Sequence, residues 1–191
     1  MLLEKQKKLT ENKIKELERV NRRFQNRIED IKSAREVTEL GKTLIKEIKE
    51  RKIVRLIGKI STEPELEVSL RQLENLANMN ASIFIGGVGL TVEMDNVKNQ
   101  KFDEYNSIFI IIEDEDIQSP LMATLQEGKY ATIYYRGNHN DSSPYYKILL
   151  DYIQENGLQI IGDSIERTII DHYISKDKED YLSEIQIPVS Y

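Results

Sequence analysis

Along the first stretch of the chain, apolar side chains fall on one side of a helix at a fixed rhythm. Steps of four and three, taken alternately, land on Leu3, Lys7, Thr10, Ile14, Leu17, Asn21, Phe24, Ile28 and Ile31, and six of these nine are apolar. A repeat of about 3.5 residues marks a coiled-coil seam rather than a helix lying on a globular core. Neither Gly nor Pro interrupts residues 1–35. Asn21 falls on an inner position, where a single polar side chain fixes register at a cost in stability. The outer face is charged, with Glu11–Lys15 and Glu18–Arg22 spaced for pairing one turn apart. A lone helix of this kind is marginal in water, so the seam needs a partner. The pattern predicts a homodimer through residues 3–31; the alternative is an arm folded back on its own domain. The chain thus divides into a coiled-coil dimerisation helix, 1–35, and a body, 36–191.

In the body the pattern changes to short β-branched runs separated by two amphipathic helices. Gly41 breaks "EVTELGKTLIKEI", and a short strand is possible at 43–47. The chain then runs twice through one programme. The first pass has strands at 52–61, 82–94 and 105–116 and a helix at 62–80, opened by Thr62 as cap with Pro64 in the first turn. The second has strands at 128–137, 159–174 and 181–189 and a helix at 140–157, capped near Ser142 or Ser143, with Pro144 in its first turn and Gly157 at its end. Corresponding elements lie about 75–78 residues apart, so the body (repeats about 50–116 and 128–191) is two similar halves packed together. A helix covering each half's strands makes an α+β domain, and a groove between halves is a favoured ligand position.

Laying one half on the other, with Gly86 against Gly162, matches Leu90 to Glu166. One half fills this strand position with an apolar group and the other with a carboxylate. Glu166 shares a strand face with Thr168, Ile170 and His172, because side chains on one face recur every second residue. Such a carboxylate can be exposed, can pair with Arg136 or Lys59, or can await a cation from outside; unpaired burial would raise its pKa.

Composition narrows the partners. Of 191 residues, 39% are apolar and 31% charged, and the net charge of −6 is uneven: residues 1–35 hold 11 Lys/Arg against 6 Asp/Glu. The remaining body is strongly acidic, which disfavours nucleic acid and weakly favours cationic compounds. No apolar run approaches a membrane span and no signal peptide opens the chain. The absence of cysteine excludes thiolate chemistry and fits a reducing, cytoplasmic setting. His139 and His172 are the only histidines and make no metal spacing. "GGVG" at 86–89 follows no strand-to-helix turn, so it is no phosphate loop. "EDED" at 113–116 lacks the spacing of a calcium loop and reads as a solvated strand end. Glu184 reads as an edge-strand acid in water. No nucleophile motif is present, and neither a cofactor nor an enzyme is expected.

With these residues in view, the chain resembles the C-terminal part of a MerR-class transcription regulator, with its dimerisation helix and GyrI-like effector-binding domain, of the multidrug-sensing branch. "LLEKQKKLTENKIKELERVNRRFQNRIEDI" is similar to the class's long dimerisation helix. "LGKTLIKEIKERKIVRLIGKIS" is similar to the approach to its effector domain, and "EGKYATIYYRG", "YKILLDYIQENGLQIIGDSIE" and "YLSEIQIPV" to its second half. The resemblance implies an SHS2-type fold, two βαββ units related by a pseudo-twofold axis. It also implies one buried glutamate, ringed by aromatics, that holds a lipophilic cation as effector; that residue falls on Glu166. The family's aromatic residues in the first helix have no counterpart at 64–79. Tyrosines gather instead at Tyr134, Tyr135, Tyr145 and Tyr146; Tyr134 and Tyr145 are expected as pocket walls, with Thr168 beside Glu166. DNA would be contacted only by a segment ahead of Met1. The alternatives are a stand-alone GyrI-like hydrolase or binding protein, in which Glu166 is a general base and a tyrosine a proton donor, and a coiled-coil interaction module.

Overall fold

The structure, a computed structural model, describes residues 1–77, 87–112, 119–172 and 174–191. Gly86, the start of the expected strand at 82–94 and the acids of "EDED" lie outside these residues.

The uninterrupted 3.5 pattern forms a single helix, α1 (Leu2–Arg35). Its last turns pack on the body. Ile31 and Ala34 pack against Tyr134, Ile169, Ile170 and Leu182, and Asp30 lies 3.6 Å from the guanidinium of Arg167. The rest of the apolar seam, including Ile14, Leu17, Phe24 and Ile28, stands exposed.

The body contains β1 (Thr43–Ile48), β2 (Arg51–Ile60), α2 (Glu63–Ala77), β3 (Val88–Val92), α3 (Met94–Lys98), β4 (Tyr105–Ile111), β5 (Met122–Leu125), β6 (Gly128–Arg136), α4 (Ser143–Glu155), β7 (Gln159–Ile160), β8 (Ser164–Ile170) and β9 (Leu182–Ser190). The short elements α3 and β5 carry too little periodicity to be seen in sequence. The expected strand 159–174 divides at Gly162, where a Cβ would lie 3.2 Å from Pro188. The expected cap of α2 forms as a capping box: Thr62 Oγ1 accepts from Glu65 N, and the Glu65 carboxylate accepts from Ser61 N and Thr62 N.

The strands run in the order β1-β6-β9-β8-β3-β4-β2-β5, with β7 also paired to β9. The halves β6-β9-β8 and β3-β4-β2 are mirror-ordered about the β8–β3 junction, as the repeat predicts. Each half also lends its first strand to the other: β1 pairs with β6, and β5 with β2. This exchange holds the two halves in one continuous sheet.

Both faces of that sheet are covered at its centre, and β6 and β9 are buried along nearly their whole length, polar positions of β9 included. On one face α2 and α4 bury Leu73, Tyr146, Leu149 and Ile153 against Val54, Ile108, Ile110, Ile133, Ile185 and Ile187. On the other, Ile53, Phe109, Tyr130 and Ile165 form a second core. There Arg51 of β2 donates to Gln186 of β9 at 2.9 Å, with three strands between them, so the sheet curls onto itself on this side. Glu184 is a correction to the sequence reading. It stands on an internal strand rather than an edge, is buried, and pairs with Arg167 at 3.2 Å. No helix among the described residues is long and apolar enough to cross a membrane.

Candidate functional site

At the centre of the sheet, on the helix side, β8 places Glu166 opposite Leu90 of β3 and Ile185 of β9. Glu166 is 2% exposed. Neither internal cation expected for it arrives: Arg136 donates to the Asp180 carbonyl and Lys59 lies 3.2 Å from Glu104. Instead Tyr135 Oη donates to Glu166 Oε1 at 3.3 Å, and Oε2 is buried without a hydrogen-bond partner. Burial pushes the Glu166 carboxyl up to about 8; the hydroxyls of Tyr135, Tyr146, Tyr105 and Ser142 offset part of that rise. At neutral pH the group is mostly a carboxylic acid. Burial first, and then the Glu166 charge, push the phenols of Tyr105, Tyr135 and Tyr146 well above the ordinary tyrosine value, so they remain proton donors.

The aromatic surround follows from local structure. Tyr146 belongs to the buried stripe of α4 with Leu149 and Ile153, at the i, i+3, i+7 spacing of one helix face. It is fully buried, stacks on Phe102 with centroids 4.5 Å apart, and shares a 2.8 Å hydrogen bond with Ser164. Tyr145, on the preceding position of α4, stacks on Tyr135 at 4.2 Å. Ser142 occupies the N-cap position of α4 but makes no capping bond. Its buried hydroxyl turns toward Tyr105 and Glu166 instead, so the cap expected there is absent for the sake of the acid's surroundings.

Beside Glu166 opens a pocket with an empty volume of about 1150 Å³, counted out to its mouth. Its walls are apolar near the acid: Leu66 and Leu70 of α2, Val88 and Leu90 of β3, and Ile108 of β4. Thr168 lies in the wall, and Arg27 of α1, Glu63, Glu67, Asp171 and Tyr181 stand around it. The guanidinium of Arg27 is held by a 2.6 Å hydrogen bond to the Ile169 carbonyl.

Of the expected residues, Glu166 and Thr168 line the cavity, while Tyr135, Tyr145 and Tyr146 stand behind the carboxyl and not in the cavity wall. Tyr134 is a correction. It is the neighbour of Tyr135 on a strand and so points to the other sheet face, where Lys46 Nζ donates to its hydroxyl at 2.9 Å and Ile31 and Ala34 of α1 cover it. Sequence reasoning missed Tyr105, Ser142 and Arg27. Tyr105 stands to Tyr181 as Leu90 stands to Glu166 in the internal repeat, so the repeat carried a signal for it. Arg27 carried none, since its contact with Ile169 joins the arm to a distant strand. No group of three or more His, Asp or Glu among the described residues could hold a metal ion.

A curled sheet with helices on one face and an acid at the floor of an apolar recess is the architecture of a small-molecule-binding domain. The match to known families agrees: residues 42–190 fit the GyrI-like small molecule binding domain, and the chain belongs to the GyrI-like family. Among curated proteins, none matches the sequence. Among solved structures, the fold is similar to EcmrR in its DNA complex, with a TM-score of 0.63 at 13% identity, over 98% of this chain and 71% of that one. It is similar also to the EcmrR C-terminal domain (TM-score 0.56, 14% identity, 78% of this chain and 97% of that one). A hydrolase from Listeria innocua gives a TM-score of 0.54 at 11% identity, over 83% of this chain and 97% of that one.

Proposed function

We propose that the chain is the effector-binding and dimerising portion of a cytoplasmic MerR-class transcription regulator, and that its effector is a lipophilic cation. The domains would be the helix 1–35 and the effector-binding unit 36–191. The observation that carries the reading is the buried Glu166 carboxyl, whose Oε2 has no hydrogen-bond partner and which lines a pocket with apolar walls at Leu66, Leu70, Val88, Leu90 and Ile108. An unpaired buried acid is costly when ionised, and a desolvated cation beside it removes that cost. The likeness to EcmrR bound to DNA supports the regulatory setting. In that setting DNA is read by a segment outside these residues, and α1 joins the two effector domains of a dimer.

Arg27 gives the route from ligand to arm. It lies on α1, lines the same pocket as Glu166, and is tied to β8 through the Ile169 carbonyl. A cation settling at Glu166 repels this guanidinium and changes how the last turns of α1 sit on β8. The ligand shifts the arm only by its differential affinity for the two arrangements.

The test is calorimetric titration with tetraphenylphosphonium against wild type and Glu166→Gln. The expected result is binding by wild type and a loss of tenfold or more in the variant. Equal affinity for both proteins would overturn the reading. A hydrolase-like relative and an acid with a raised pKa beside tyrosine donors favour a second reading, general acid–base catalysis on a small electrophile. Turnover of activated esters that disappears in Glu166→Gln would establish it in place of sensing.

A further inference from the structure

A second recess lies next to the first, with an empty volume of about 490 Å³. Glu63, Leu66 and His139 line both. Between the two stands one contact, His139 Nε2 to Glu63 Oε2 at 3.0 Å, which ties the start of α2 to the turn before α4. Tyr105 and Ser142 line the second recess, and their hydroxyls act on Glu166, which lines the first.

We propose that the second recess is a subsite of the same ligand chamber, closed off by the His139–Glu63 pair, and that it takes a positively charged, hydrogen-bonding tail carried by a lipophilic cation. This rests on the reading of Glu166 as the cation's partner and adds to it the class of ligand that fills the whole chamber.

The two linings differ in the required way. Around Glu166 the main cavity presents Leu70, Val88, Leu90 and Ile108, which suit an aromatic or aliphatic body. The second recess presents Thr62, Asp103, Asn140 and Ser143 instead, which suit a group that donates hydrogen bonds. The Asp103 carboxylate is close enough to act electrostatically on Tyr105, which places a negative charge at that wall. Glu63 is 60% exposed, so its pairing with His139 is weak and can open when a ligand presses between α2 and the turn. His139 stands edge-on to the Tyr105 ring, with centroids 6.2 Å apart, so its withdrawal uncovers the phenol that faces the acid.

Two phosphonium ions separate the subsite from the main site: methyltriphenylphosphonium, which has only the lipophilic body, and (3-aminopropyl)triphenylphosphonium, which adds an ammonium tail. In full-length chain, His139→Ala is expected to raise affinity for the tailed ion by about tenfold and for the methyl ion by less than about twofold. Glu63→Gln opens the same pair from the α2 side but also removes a carboxylate common to both cavities, so the ratio of tailed to methyl affinity, rather than either affinity alone, is expected to rise, which covers a loss of folding in the histidine variant. Asp103→Asn is expected to abolish the preference for the tailed ion. Equal effects of His139→Ala and Glu63→Gln on both ions, or an undiminished tail preference in Asp103→Asn, would overturn the subsite while leaving the main site standing. Failure of wild type to bind either ion would overturn the main site and the subsite with it.

Discussion

Leu90 and Glu166 face each other across the β3–β8 junction, at the middle of the sheet. They are also equivalent positions of the internal repeat. Two equivalent strand positions therefore hold an apolar side chain and a carboxyl. The apolar member shows what packing favours there, and the acid is the departure that packing does not explain.

The first consequence is a pH dependence of stability. Folded, the Glu166 carboxyl keeps its proton up to about 8, whereas an ordinary carboxyl releases it at 4.5. Between these values the unfolded chain binds fewer protons than the folded one. The group's stabilising share is therefore complete below about pH 4.5 and is lost as pH rises to about 8, at up to ~1.4 kcal/mol per pH unit. Glu166→Gln removes this slope. Urea unfolding at pH 5 and pH 8 should show the variant gaining on wild type by several kcal/mol at the higher pH. Parallel curves would show that the carboxyl is not held protonated by the fold.

Cation binding should carry the opposite dependence. A cation beside Glu166 favours the ionised form, so binding below about pH 8 releases a proton. Affinity for tetraphenylphosphonium should rise about tenfold per pH unit through the range below that value and level off above it. Calorimetry in two buffers of different ionisation enthalpy measures the proton released. A neutral ligand that accepts a hydrogen bond from the carboxylic acid would weaken above pH 8 instead, so the sign of the slope identifies the ligand's charge.

A packing prediction concerns Gly89, the cross-strand partner of Phe109. The Phe109 ring lies across the Gly89 backbone, where a Cβ would collide with its ring carbons. Gly89→Ala should destabilise by about 1–3 kcal/mol, and adding Phe109→Leu should recover part of the loss. Thermal unfolding of the single and double variants checks both statements.

These particulars show what pattern alone can locate. The repeat exposed Glu166 because it offered a built-in comparison with Leu90, and strand alternation put Thr168 on the same face. The tyrosine cluster was visible, but choosing among its members needed the phase of β6, and one residue's difference sends Tyr134 to the far face. Glu184 was misplaced because strand order, which makes β9 internal, depends on pairings between distant segments. The lending of β1 and β5 between halves is of the same kind. So is the position of Arg27, whose partner on β8 is 142 residues away.

Arg27 gives the prediction that tests communication between pocket and arm. Its guanidinium is buried and its hydrogen bond to the Ile169 carbonyl is charge-assisted, so Arg27→Ala should cost about 1.5–3 kcal/mol. More specifically, hydrogen exchange in the last turns of α1 should respond to tetraphenylphosphonium in wild type and not in Arg27→Ala. Ligand affinity itself should survive or increase, since a positive charge has left the pocket. An unchanged response of α1 in the variant would place the route elsewhere.

The exposed seam of α1 sets the last prediction. Ile14 is 50%, Leu17 57%, Phe24 47% and Ile28 49% exposed in the single chain. They lie on one stripe with a 3.5 period, and no described residue of the body buries them. Burying each against a second copy contributes about 1.5–3 kcal/mol for a fully covered side chain, and somewhat less from these half-exposed starting points. Four such residues from each of two chains offset the cost of association at micromolar concentrations. Sedimentation equilibrium should therefore show a dimer. Leu17→Glu with Phe24→Glu places two charges on the seam and should give a monomer. The body of that monomer should unfold much as before, because its main core is built from the β-sheet, α2 and α4, while Ile31 and Ala34 of α1 belong to a smaller cluster. A wild-type monomer at tens of micromolar would remove the arm from dimerisation, and would leave its apolar stripe to some other partner helix.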